Sequence, residues 1–192
     1  MRGAARREQL LEVTTQIVAE QGFSAVSMQS VARSAGVSRP VVYEHFHTLH
    51  GLLEAVVERE MRKALEQVSE TALGDLNDGD PIELMLDSLG KYLEAVKTHP
   101  TTWRLVLMPP EGAPELLRRS IARGRAAVLR SITDAVRLAL LPGRYSLDPE
   151  LTARMLSAMA DEYARLVLTD ARRFPPKRLL LHAGWWLTQM FS

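Results

Sequence analysis

Apolar residues recur along the chain at intervals of three and four, the spacing of amphipathic helices, and nowhere alternate over the length of a strand. Leu10, Val13, Ile17 and Val18 predict a first helix over about 7–21, ended by Gly22, with Phe23 folding back towards Val18. Met28, Val31, Ala32 and Ala35 predict a short second helix capped by Ser27. Gly36 and Val37 then make a sharp turn. Ser38 is placed to cap a third helix, in which Pro40 occupies the first turn and Val42 and Phe46 point inward one turn apart. Thr48 opens a fourth helix through Leu53, Val57, Met61, Leu65 and Val68, longer than the first three helices need for their own packing.

The polar stretch 74–80 reads as a loop closing on a capping box, Asp80-Pro81-Ile82-Glu83. Ile82, Met85, Leu86, Leu89, Leu93 and Val96 carry the helix that follows, with Tyr92 at its edge, until His99-Pro100 breaks it. A short helix over 101–108 and an irregular proline-rich connection over 109–114 come next. Leu117, Ile121, Val128, Ile132 and Val136 then predict a helix to about 140, with Arg118, Arg119, Arg123, Arg125 and Arg130 on a solvated face. After a turn over 141–147, Asp148-Pro149 caps a helix to about 172, and Pro175-Pro176 opens the last. In that last helix Leu179, Leu180, Leu181, Ala183, Trp185, Trp186, Leu187, Met190 and Phe191 surround the axis, more than one inward face can take up. Burial against a second subunit would account for the excess. The chain is expected to be all-α, with about nine helices.

Residues 27–46 have the form of a helix-turn-helix. With about 100° per residue and Val42 set inward, Pro40, Val41, Tyr43, Glu44 and His47 project outward and Arg39 sits at the helix tip. This face is a candidate reader of the DNA major groove. Ala32, four residues before Gly36, is small enough to let two steeply crossing helices approach.

Charge adds little to this picture and cysteine removes one class of chemistry. The 192 residues carry a formal net charge of +1, so any attraction to phosphate must be local; Arg2, Arg6 and Arg7 lie beside the proposed reader and could reach a phosphate or a minor groove. There is no cysteine, which excludes disulfides and thiolate metal sites and suits a cytoplasmic protein. The N-terminus lacks the apolar core of a signal peptide, and the longest apolar stretch, 179–191, is shorter than the roughly 20 residues a membrane span requires.

His45, His47 and His50 straddle a helix end without a one-turn pair or a fourth ligand, so no metal site is read there. No nucleophile elbow, phosphate loop or dinucleotide fingerprint appears, and neither an enzyme nor a cofactor is expected. Tyr92, Trp103, Leu107, Met108, Met155, Met159, Glu162 and Tyr163 offer apolar surface with few polar handles, and are the candidate lining of a small-molecule site. Within the stripe Leu151, Met155, Ala158 and Leu166, the Glu162 carboxylate would need a partner: a ligand, an arginine, or a group across a dimer.

Three motifs in order, Glu20-Gln21-Gly22-Phe23, Ala35-Gly36-Val37-Ser38 and Tyr43-Glu44-His45-Phe46, make the segment 7–57 resemble the TetR family of bacterial transcriptional regulators. The resemblance implies a three-helix DNA-binding domain over residues 1–50. It implies a larger helical domain over 51–192 that binds a small effector and forms a homodimer through its last two helices. By position, Ser27, Ser38, Tyr43 and His45 would contact the DNA backbone, and Arg39, Pro40, Val41 and Glu44 would face bases. Leu49 departs from the Lys or Arg common in the family at the start of the fourth helix, so His50 or the backbone there would have to supply that phosphate contact. The function implied is that of a ligand-responsive repressor on a palindromic operator. A ligand-independent DNA-binding regulator and a helical interaction module stay open beside it.

Overall fold

A computed structural model describes residues 2–70, 80–110, 112–139 and 148–191. Among them are nine α-helices and no strand. The first four are α1 (Arg2–Gln21), α2 (Met28–Ser34), α3 (Arg39–Phe46) and α4 (Leu49–Glu70), with a short 3-10 turn at Phe23–Ala25. Then follow α5 (Pro81–Thr98), α6 (Pro100–Leu107), α7 (Glu115–Ala139), α8 (Pro149–Asp170) and α9 (Pro176–Phe191). The all-α expectation holds, and most boundaries fall within two residues of the predicted ones. The exception is α1, which begins at Arg2 instead of about residue 7. The predicted loop at 74–79 and turn at 141–147 lie outside the described residues.

Local chemistry explains where the helices begin. Ser27 and Ser30 form a reciprocal box: Ser30 N donates to Ser27 Oγ at 3.0 Å and Ser27 N to Ser30 Oγ at 2.9 Å. Gly36 turns the chain at φ 66°, a conformation open to glycine and costly for other residues. Ser38 precedes α3, but its side chain makes no capping hydrogen bond; Pro40 fixes the first turn instead. Thr48 Oγ1 accepts from Gly51 N at 3.0 Å at the start of α4. Asp80 accepts from Ile82 N at 2.9 Å, the aspartate half of the expected box, and Asp148 accepts from both Glu150 N and Leu151 N.

Leu10, Leu11, Val18, Val31, Val42 and Phe46 are buried where α1, α2 and α3 meet, with Leu52 and Val56 of α4 closing the base. Burying each such side chain contributes about 1.5–3 kcal/mol. The remaining length of α4 packs on α5, α6 and α7. One helix thus belongs to both halves of the molecule. Further along, α5 lies against both α8 and α9, and Val136, Ala153, Leu156 and Leu187 form a second small core.

Candidate nucleic-acid interface and ligand cavity

The outward face of α3 is assembled by its inward one. With Val42 and Phe46 buried, Arg39, Pro40, Tyr43, Glu44 and His47 are exposed and Val41 is half-buried. The Arg39 guanidinium stands 6.0 Å from the centre of the Tyr43 ring, close enough for a cation–π contact that holds both at the tip of the helix. Ser27 is exposed but spends its hydroxyl on the box with Ser30, so its exchange with a phosphate would compete with a cap. Ser38 is exposed, and His45 is half-buried with its ring 6.3 Å from that of Phe46. Leu49 is partly exposed, and His50 reaches Glu54 Oε1 at 3.2 Å rather than standing free. His45, His47 and His50 do not converge, and among the described residues no group of three acidic or histidine side chains is placed to hold a metal.

Between α4, α5, α6, α7 and α8 lies a cavity of about 440 Å3, reached also by Leu187 of α9. Four of the eight residues named from the sequence line it: Tyr92, Trp103, Leu107 and Met159. The other four lie elsewhere. Met108 and Met155 are exposed, Tyr163 is buried with its hydroxyl paired to His182 Nδ1 of α9, and Glu162 is exposed and pairs with Arg165 at 3.3 Å. The expectation that Glu162 lies on an inward stripe is therefore corrected. Leu151, Met155, Ala158 and Glu162 face outward, and the carboxylate that meets the cavity is its neighbour, Asp161. Asp161 Oδ2 pairs with Arg125 at 3.2 Å and with Arg165 at 3.9 Å, so Arg125 is more than part of a solvated face. Burial pushes the Asp161 carboxyl above the ordinary aspartate value, and the two arginines only partly oppose it. Tyr92 meets Trp103 edge-on at 5.0 Å, and burial, with a smaller push from Asp161, drives its phenol far up, so it remains a protonated hydroxyl.

A polar cluster joins the two regions. Arg59 of α4, 3% exposed, reaches Glu8 at 2.6 Å and Glu12 at 2.8 Å on α1, donates to Thr15 Oγ1 at 3.1 Å, and pairs with its neighbour Glu60. Glu60, 1% exposed, accepts from Thr102 Oγ1 of α6 and from Lys63 at 3.2 Å. Burial alone would lower the pKa of Arg59 and raise that of Glu60. The hydrogen bonds and mutual charges outweigh it in both, and both are held ionised. Beside Thr102, Trp103 lies in the cavity wall and donates through Nε1 to Gln67 of α4 at 2.7 Å.

Residues 10–56 match the model of the bacterial regulatory proteins of the tetR family. Over this segment the chain belongs to the TetR family. It is a transcriptional regulator, with the helix-turn-helix at α2 and α3. The fold is shared with solved structures over most of the chain. A TetR-family regulator from Rhodococcus sp. superposes with a TM-score of 0.71 at 25% identity, covering 98% of this chain and 100% of that one. A TetR-like regulator from Rhodococcus sp. RHA1 gives 0.76 at 19% identity, covering 97% of each. AibR, solved with isovaleryl coenzyme A and operator DNA, gives 0.71 at 19% identity, over 94% of this chain and 97% of that one. Among the described residues of this chain no helix is long and apolar enough to cross a membrane.

Proposed function

We propose that this regulator is a homodimeric, effector-responsive repressor acting in the cytoplasm on a near-palindromic operator. Residues 1–50 form its DNA-binding unit and 51–192 its effector-binding and dimerisation unit. The observation that carries the reading is the double membership of α4: its first turns pack under α3, and Met61, Leu65 and Val68 further along line the cavity. A ligand that fits the cavity better in one position of α4 than in another shifts the spacing of the two readers, since only differential affinity moves such an equilibrium. That a protein of this fold was solved with both an acyl-coenzyme A and operator DNA supports pairing the two sites, though at 19% identity it does not name the ligand here.

On the DNA, Arg39 would donate to guanine and Val41 touch a thymine methyl, with Pro40 and Glu44 beside them. Ser27, Ser38, Tyr43 and His45 would hold the backbone. Dimerisation through α8 and α9 is supported by the exposed Leu151 and Met155 on the first and Leu181 and Trp185 on the second. Two such readers fit half-sites about 34 Å apart.

Selection of genomic fragments by the purified full chain tests this. The fragments are expected to share a near-palindrome and to dissociate steeply as salt rises. Expression from a promoter carrying that site should increase when the regulator is deleted. Failure to enrich any sequence would remove the operator reading, and a fall in expression on deletion would make the protein an activator.

A further inference from the structure

The cavity's two charged side chains differ in how easily they can give each other up. Asp161 is about a quarter exposed, at 24%, and sits on the inner side of α8. Arg125 is 51% exposed and crosses to it from α7. A half-exposed guanidinium can swing into water at small cost, because surface ion pairs contribute only about 0–1 kcal/mol. The Asp161 carboxylate, on the inner side of its helix, has no such exit, and without Arg125 it keeps only the longer contact to Arg165 at 3.9 Å. An anionic ligand would have to take Arg125 while lying against Asp161, where like charges repel. A cation meets the opposite situation: it replaces Arg125 and keeps the carboxylate paired.

Resting on the reading of this cavity as the effector site, we infer that the effector is an apolar amine whose protonated nitrogen takes the place of Arg125 at the Asp161 carboxylate. The body of such a molecule lies among Met61, Leu65, Met85, Leu89, Val128 and Ile132, all in the wall. An ammonium group carries up to three donors. Besides Asp161, the wall supplies the Tyr92 hydroxyl and Ser157, which stands one turn before Asp161 on the same face of α8. The Tyr92–Trp103 pair adds aromatic surface to the same wall, favourable to a cation. Burial already disfavours the ionised Asp161 against its ordinary state, and an entering ammonium relieves that directly. A neutral ligand of the same size gains only the apolar contacts.

Calorimetric titration of the full chain with phenylbutylamine, phenylbutanol and phenylbutyrate, three probes of nearly equal size, tests the charge assignment. The amine is expected to bind at least about tenfold more tightly than either of the others. Asp161→Asn should abolish that preference, bringing the amine to an affinity similar to the alcohol's, and Arg125→Gln, which removes the competitor and keeps the carboxylate, should tighten the amine. The inference is overturned if phenylbutyrate binds best, if none of the three binds, or if the amine's advantage survives Asp161→Asn. The amine should also release DNA selected by the same protein, and binding without release refutes its role as effector. Failure to select DNA refutes the underlying regulator reading instead, and the calorimetry separates the two.

Discussion

Asp161 and Glu162 are neighbours on α8, and one step of about 100° around the helix gives them opposite surroundings. Glu162 is in water beside Arg165, while Asp161 meets the cavity and has a raised pKa. A carboxyl whose folded pKa is raised favours the folded state at low pH, and that contribution is lost as pH rises through the folded value. At neutral pH its charge therefore costs stability. Asp161→Asn, nearly the same shape without the charge, is expected to leave the ligand-free protein as stable or up to about 1 kcal/mol more stable in urea unfolding. A loss of more than about 2 kcal/mol would show that the pairs with Arg125 and Arg165 dominate instead. The sequence directs attention to the wrong one of these two residues for a physical reason. Helix α8 has two apolar sides: Ala153, Leu156, Ala164 and Val167 inward, and Leu151, Met155 and Ala158 outward. Periodicity finds both stripes but cannot say which is inside when each is apolar.

At the scale of elements, α2, the turn and α3 are legible almost residue by residue. Their determinants, the Ser27 cap, Gly36 and the Val42 and Phe46 pair, are local in sequence. The Arg59 cluster is not, because Arg59 meets partners 44 to 51 positions away that no local period encodes. It decides how α1 and α6 are tied to α4. The Glu60 carboxyl is held below the ordinary value of 4.5, so it contributes stability that is present above that value and lost as pH falls through the folded one. On acidification from about pH 5 the wild-type melting temperature is expected to fall more steeply than that of Glu60→Gln; parallel curves would show that the cluster does not govern acid stability. Thr102→Val removes the hydroxyl linking α6 to Glu60 and leaves the Trp103 side chain in the cavity wall. It is expected to cost about 1–2 kcal/mol of stability. If the cluster carries the effector's signal, the variant should bind effector normally yet release DNA at higher effector concentration. An unchanged release curve would place the coupling on the apolar contacts of α4 alone.

For the whole molecule, the decisive surface is the one that α8 and α9 leave uncovered. Leu181 is 70% exposed and Trp185 63%, while Leu151 and Met155 are 61% and 57% exposed. Large apolar side chains this open are costly for a lone chain and ordinary for an interface core. The Tyr163–His182 bond ties α8 to α9. A two-fold dimer through them would carry two α3 helices related by the same axis, which is what a near-palindrome requires. Replacing both Leu181 and Trp185 by Glu sets like charges against one another across such an axis, at exposed positions outside α1, α2 and α3. The double variant is expected to be monomeric by light scattering, with the helical content of the wild type. Its affinity for the full near-palindrome should fall at least about a hundredfold while that for an isolated half-site stays the same, because only the coupling of two binding events is lost. A variant that remains dimeric would put the interface elsewhere. One that becomes monomeric yet binds the full site undiminished would mean that a single reader suffices, and the proposed response to spacing would then have no physical basis.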